Sequence, residues 1–444
     1  MKKSGRLLVL LLALSSLALV LSCQSSSSLK SVDQGLNPFD NGTSERNMIV
    51  VMSDMHLGAD LSYAECKENL KPLENLLLEI KASPSVKELV IAGDLLDEWF
   101  VPAPVDTYQG SDQADFVRRI ALANKGVIDA FNSIINEKKI LVTYVPGNHD
   151  LTVTESSVEL ILPGIHQQRD KEQGLGTYSP VGYPSIAIEH GHRYNFFCAP
   201  DPISNQDIAP GTISPPGYFF TRIAALHVLQ GSPELTDTLP VITPSASSSE
   251  SQKLLYAYSK IWEWAINYLT VENKFDEDFI VTNVDGFTGN YSINDLLPYQ
   301  SVAGGVIDVN LFKGIQDSWY QRQALNRVPV PIPTIRAITT SASEDELAQQ
   351  AKIQYFENPN SDVRIVVFGH THVAKMESSL DHRGLKSIYA NSGTWIDHNT
   401  ISPTKMEFVV ITPQSKDPSS ETTVKLYNYN DEVVSEIAVD SLRL

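Results

Sequence analysis

Five short stretches hold chemistry-bearing residues in compact groups. They are Asp54-Met55-His56, Gly93-Asp94-Leu95-Leu96-Asp97, Gly147-Asn148-His149-Asp150, His190-Gly191-His192 and Gly369-His370-Thr371-His372. Carboxylates, imidazoles and an amide gathered from separate points along a chain are what a metal site with several ligands requires. The set is too rich in histidine for an all-oxygen Mg or Ca site and suits Mn, Fe or Zn. In extended chain, residues i and i+2 point the same way. Asp54 with His56, and His370 with His372, are therefore each expected to turn two donors toward one point. One Asp-x-His alone reads as a solvated turn; five such groups in this order do not. His166, His227, His382 and His398 fall in none of them and read as ordinary surface or core histidines.

Each group follows an apolar run rich in β-branched residues: 48–51, 89–92, 140–145, 186–188 and 363–368. Such runs read as buried strands, so the polar groups sit just past strand ends, where open α/β sheets place their sites. Apolar spacing predicts a helix over 63–83 and another over 116–136. Val158 to Leu162 reads as a further strand. Strands alternating with helices point to right-handed βαβ units and an α/β fold. Residues 405–412 and 422–429 alternate and read as an antiparallel finish. Between Pro200 and about Asn360 the character changes: Pro and Gly are frequent and helical stretches carry many aromatics. Residues 201–359 are read as an insertion capping the site, with 48–200 and 360–444 forming the main domain. Tyr256, Tyr258, Trp262, Trp264, Tyr268, Trp319 and Tyr320 either hold a ligand there or form the insertion's own core.

These motifs resemble those of the calcineurin-like metallophosphoesterase family: D-x-H, G-D-x-x-D, G-N-H-[DE], a later H, and G-H-x-H. The resemblance implies an α/β sandwich of two mixed sheets flanked by helices, with a large helical, aromatic-rich insertion in this chain. It implies two divalent transition-metal ions, Mn, Fe or Zn, with Asp54, His56 and His372 at one and Asn148, His190 and His370 at the other. Asp94 would bridge them, and a hydroxide shared by the ions would attack phosphorus. His149 would donate a proton to the leaving oxygen, with Asp97 holding its tautomer. His190 is preferred to His192 as the ligand, leaving His192 to face substrate. Gly93 to Trp99 together with His190-Gly191-His192 is similar in style to the branch containing UDP-2,3-diacylglucosamine hydrolase. The phosphate-binding Arg of the Ser/Thr phosphatase branch is absent, because Glu98-Trp99 follows Asp97. The expected reaction is hydrolysis of a phosphomonoester, phosphodiester or pyrophosphate. The competing expectation is a non-catalytic, metal-containing surface lipoprotein that binds a ligand through the aromatic cap.

The chain has 444 residues, 42% of them hydrophobic, and a formal charge of −19. That acidity disfavours long duplex nucleic acid, whose phosphates need Lys and Arg. Lys2, Lys3 and Arg6 precede a leucine-rich stretch, Leu7 to Leu21, about the length of a secretory signal. Val20-Leu21-Ser22-Cys23 resembles a bacterial lipobox. Residues 1–22 are therefore expected to be removed, leaving Cys23 lipidated and the protein exported and membrane-anchored. An ordinary cleaved signal or a retained anchor would fit the same stretch less well. Residues 23–47, rich in Ser, Asn and Gly, read as a flexible tether. Cys66 and Cys198 either pair or remain two free thiols.

Overall fold

The computed structural model describes residues 37–170, 174–235, 239–272, 278–397, 406–415, 419–430 and 433–444. The signal-like segment, Cys23, the first part of the tether and His398 lie outside them. Strand β1 (Met48–Met52) leads through helix Leu70–Ala82 to β2 (Val86–Ala92). Helices Gln113–Ala123 and Lys125–Glu137 precede β3 (Leu141–Val145). Helix Glu155–Ile161, β4 (His166–Gln167) and β5 (Ile186–Ile188) follow. The insertion holds helices Gly217–Leu229, Glu250–Tyr268 and Ile315–Leu325, shorter helices, and two ribbons. The ribbons pair β6 (Ile280–Val281) with β7 (Asn290–Tyr291), and β8 (Tyr299–Gln300) with β9 (Ile307–Asp308). The chain returns as β10 (Ile365–Phe368), β11 (Lys375–Leu380), β12 (Lys386–Asn391), β13 (Glu407–Thr412), β14 (Thr422–Asn430) and β15 (Val433–Leu442).

Two sheets result. The larger runs β15-β14-β13-β1-β2-β3-β4, parallel from β1 to β4 and antiparallel beyond β1. The smaller runs β11-β12-β10-β5, with only β11 antiparallel. Strand alternation sorts the side chains between layers. Ile49, Val51, Val90, Ile188, Ile365, Val367 and Ile388 meet in one core between the sheets. Met48, Val50, Met52, Leu89 and Ile91 turn the other way, onto Leu73, Leu76, Leu77 and Ile80 of the first helix. Each such fully buried side chain contributes roughly 1.5–3 kcal/mol. The architecture is an α/β sandwich of two mixed sheets flanked by helices, with a helical insertion.

The insertion is joined to this frame by a continuous core. Val366 and Phe368 of β10 and Tyr389 of β12 pack with Phe196, Phe219, Tyr258, Trp262 and Trp319. Tyr258, Trp262 and Trp319 are thus core residues, whereas Trp264, Tyr268 and Tyr320 are exposed. The buried Arg222 guanidinium donates to the carbonyls of Val101 (2.6 Å), Ala103 (3.1 Å) and Val105 (2.6 Å). That binds the loop after the second motif to helix Gly217–Leu229.

The structure departs from the sequence expectations in several places. The first helix begins at Leu70, not Tyr63, because Pro72 lacks an N–H and fits only a first turn. The helix expected over 116–136 breaks at Asn124, whose side-chain amide donates to the carbonyls of Ile120 and Gly58, both at 2.8 Å. Val158 to Leu162 lies in or beside a helix, started by Thr154 accepting from the Ser157 amide. Residues 37–47 are pinned rather than tethering: Phe39 is fully buried and stacks on Phe408 at 5.6 Å. The polar edge strands β11 and β15 carried no apolar run to announce them. Cys66 and Cys198 are free thiols. Among the described residues no helix is long and apolar enough to cross a membrane.

Candidate metal centre

Asp54 and His56 follow β1, Asp94 and Asp97 follow β2, Asn148 and His149 follow β3, His190 follows β5, and His370 and His372 follow β10. These strands run parallel within their sheets, so their carboxyl ends bring the groups to one edge of the sandwich. The chain does not remain extended there. Asp54, His56, Asp94, His370 and His372 all adopt left-handed backbone, with φ between 46° and 74°. Asp54 and His56 therefore converge through two kinks, not through strand alternation. Such conformations cost about 1–3 kcal/mol each outside glycine and persist only where the surroundings enforce them. Here the enforcement is visible. The Met55 and His56 amides donate to the Asp94 carbonyl at 2.9 and 3.0 Å, and the Trp395 amide donates to the Asp54 carbonyl at 3.0 Å.

Two glycines let these turns close. Gly93 has φ +90°, and a Cβ there would meet the His190 ring at 2.5 Å. A Cβ on Gly369 would meet Asp54 Oδ2 at 2.5 Å. In place of that carbon, the His370 amide donates to both Asp54 oxygens at 3.1 Å.

Donor atoms crowd in the space this creates. Asp54 Oδ1 lies 3.2 Å from His372 Nε2 and 3.9 Å from His56 Nε2, and the two imidazole nitrogens are 3.1 Å apart. Asp94 Oδ2 lies 3.5 Å from His56 Nε2 and 3.1 Å from His190 Nε2, so one carboxylate oxygen faces imidazoles of two groups. His190 Nε2 is also 3.1 Å from Asn148 Oδ1. The His370 ring lies edge-on to His190, centroids 5.2 Å apart. His190 is turned by its other nitrogen, which donates to the Ala92 carbonyl at 2.8 Å. Donor atoms about 3–4 Å apart are what ions with ligands at roughly 2.1 Å require. Asp54, His56, Asp94 and His372 place ligand atoms within 4.8 Å of one another and fit one divalent ion. His190 and Asn148 continue the row of donors beside Asp94, with His370 next to His190.

The electrostatics agree. Burial alone would push the Asp54 and Asp94 carboxyls up, but the neighbouring imidazoles, His190 foremost, hold both well below the usual carboxylate range. Burial would lower His190, yet Asp94 and Asp54 raise it to about 9.

His149 Nδ1 lies 2.8 Å from Asp97 Oδ1, and its backbone amide donates to Asp94 Oδ1 at 2.9 Å. Trp99 covers the ring at a centroid distance of 5.1 Å. Burial opposes the imidazolium, but Asp97 outweighs it and holds the His149 pKa above the usual histidine value. His192 is buried, 5.4 Å from the His190 ring, and neither ring nitrogen is hydrogen-bonded among the described residues. Asp150 accepts from the amides of Gly147 (2.6 Å), Leu95 (2.8 Å) and Leu96 (3.2 Å), so its place is structural. His149, His370 and His372 are partly exposed while the remaining donors are buried, so solvent meets the centre from their side.

Sequence reasoning missed Glu65. It lies in the loop after Asp54-Met55-His56, is buried, and places Oε2 2.9 Å from His56 Nδ1. No spacing rule pointed to it; only an acidic residue in that loop hinted at it. Also missed was Glu189, directly before His190. Its Oε1 accepts from Tyr194 at 2.7 Å and Tyr355 at 2.8 Å, and its Oε2 pairs with Arg193 at 2.7 Å.

Residues 48–214 match the model of the calcineurin-like phosphoesterase family. The matched segment holds four of the five motif groups and stops before β10. No curated protein matches the chain. Among solved structures, a Vps29 double mutant from Entamoeba histolytica is similar at 11% identity, covering 89% of this chain and 99% of its own. Its TM-score is 0.27.

Proposed function

We propose that this protein is a metal-dependent hydrolase of phosphomonoesters, phosphodiesters or pyrophosphates, working with two divalent transition-metal ions. The observation that carries the reading is Asp94, whose Oδ2 faces His56 on one side and His190 on the other. That is the position from which a single carboxylate serves two ions. The ions, when bound, would polarise the phosphoryl oxygens and supply a water activated as nucleophile. Asp54, His56 and His372 would hold one, and Asn148, His190 and His370 the other. His149, whose protonated form Asp97 favours and which solvent reaches, would donate to the departing oxygen. A purely structural or ligand-binding metal site would need neither His149 nor Asp97, which weighs against a non-catalytic protein.

The Val20-Leu21-Ser22-Cys23 sequence supports a bacterial lipoprotein, exported and held to a membrane through Cys23. The test for the enzyme is metal content and turnover over a panel of aryl phosphates, phosphodiesters and pyrophosphates. Two ions per chain and metal-dependent turnover are expected; neither on any substrate would sink the proposal. The test for the anchor is incorporation of labelled fatty acid, expected in the wild type and lost in Cys23→Ala.

A further inference from the structure

His56 Nε2 points at the carboxylates of Asp54 and Asp94, so its orientation depends on what holds Nδ1. Two carboxylates compete for that atom: Asp97 Oδ2, hydrogen-bonded to it at 3.3 Å, and Glu65 Oε2, closer at 2.9 Å in an ion-pair contact. A neutral imidazole has one N–H to give. Asp97 serves several donors at once: its Oδ1 accepts from the amides of Trp99 (3.1 Å) and Phe100 (2.7 Å) and lies 2.8 Å from His149 Nδ1, while its Oδ2 is the atom that faces His56. Glu65 is the nearer partner, and its loop is fixed. The Asp397 amide donates to the Glu65 carbonyl at 2.8 Å, and Asp397 Oδ2 accepts from the Lys67 and Asn69 amides at 2.8 Å each.

We propose that Glu65 is a positioning residue for the metal centre. It takes the Nδ1 proton of His56, fixes the tautomer with Nε2 free to bind an ion, and leaves Asp97 to His149. This rests on the reading of the site as a two-metal hydrolase. The four groups Glu65, His56, Asp97 and His149, whose ligand-type atoms lie within 4.8 Å of one another, then form two separate pairs. One pair sets metal affinity and the other serves the leaving oxygen. Carboxylates placed behind a ligating histidine are typically worth about 10–100-fold in metal affinity.

The experiment titrates metal-free full-length protein with Mn(II) and follows binding, apo melting temperature and the Mn(II) concentration for half-maximal turnover. Glu65→Gln is expected to bind one of the two ions about 10–100-fold more weakly. Its apo melting temperature should stay near wild type, and its turnover should recover as Mn(II) is raised. Asp97→Asn is expected to keep both ions and lose turnover that added Mn(II) does not restore. Glu65→Ala serves as a second variant, expected to weaken the same ion. Unchanged affinity for both ions in Glu65→Gln and Glu65→Ala would overturn the inference. So would loss of both ions together with a large drop in apo melting temperature, which would mark a merely structural role. Wild-type protein that takes up no Mn(II) would overturn the two-metal reading itself, and this inference with it.

Discussion

His149 is constrained on several sides: Asp97 at Nδ1, Trp99 across the ring face, and the His56 ring edge-on at 4.3 Å. Its side chain is placed among the ligands without belonging to either set of donors. His149→Ala is expected to retain both ions and lose about 10²–10⁴-fold in kcat, the usual worth of a general acid. Metal analysis beside steady-state kinetics checks this, and loss of an ion in the variant would reassign the residue. Asp150 gives a contrasting prediction. Its two oxygens serve three buried amides, and each amide left unsatisfied costs about 1–3 kcal/mol. Asp150→Ala should therefore lower stability by several kcal/mol in chemical denaturation, with Asp150→Asn milder because one oxygen remains. An Asp150→Ala variant as stable as wild type but inactive would mean the carboxylate does chemistry instead.

The elements that bring these residues together are unevenly written in the chain. β1, β2, β3, β5 and β10 are apolar on both faces, because each is covered by a layer on either side, so their runs stand out. The polar groups after them stood out for the same reason. What the strand rule could not supply was the turn geometry: left-handed residues at Asp54, His56, Asp94, His370 and His372 depend on partners from distant strands. Glu65 was hidden likewise, since its role comes from a loop pinned by Asp397, far away in sequence. The break at Asn124 shows the same limit, as the Gly58 carbonyl that draws its amide lies 66 residues earlier. At this scale Gly369→Ala is the informative change. A methyl group 2.5 Å from Asp54 Oδ2 must displace that carboxylate. The variant should keep its circular dichroism and melt cooperatively as apo protein, yet bind one ion far more weakly. Wild-type metal affinity in Gly369→Ala would show that the close approach is not needed.

For the whole molecule, the centre ties both sheets together, because Asp54, His56 and Asp94 come from one and His190, His370 and His372 from the other. An ion held by both is expected to resist their separation. Each ion at 100 times its dissociation constant adds about 2.7 kcal/mol to stability. Chelation should lower the melting temperature and abolish turnover, and Mn(II) or Zn(II) should restore both; a melting temperature indifferent to chelator would mean the ions do not bridge the sheets. The insertion carries a different consequence. Its aromatic interior continues without a seam into Val366, Phe368 and Tyr389. A lid that swings needs a surface along which to part, and this one would have to tear open a hydrophobic interior to do so. The insertion is therefore expected to keep its place on β10 and β12 and to melt with them as one cooperative unit.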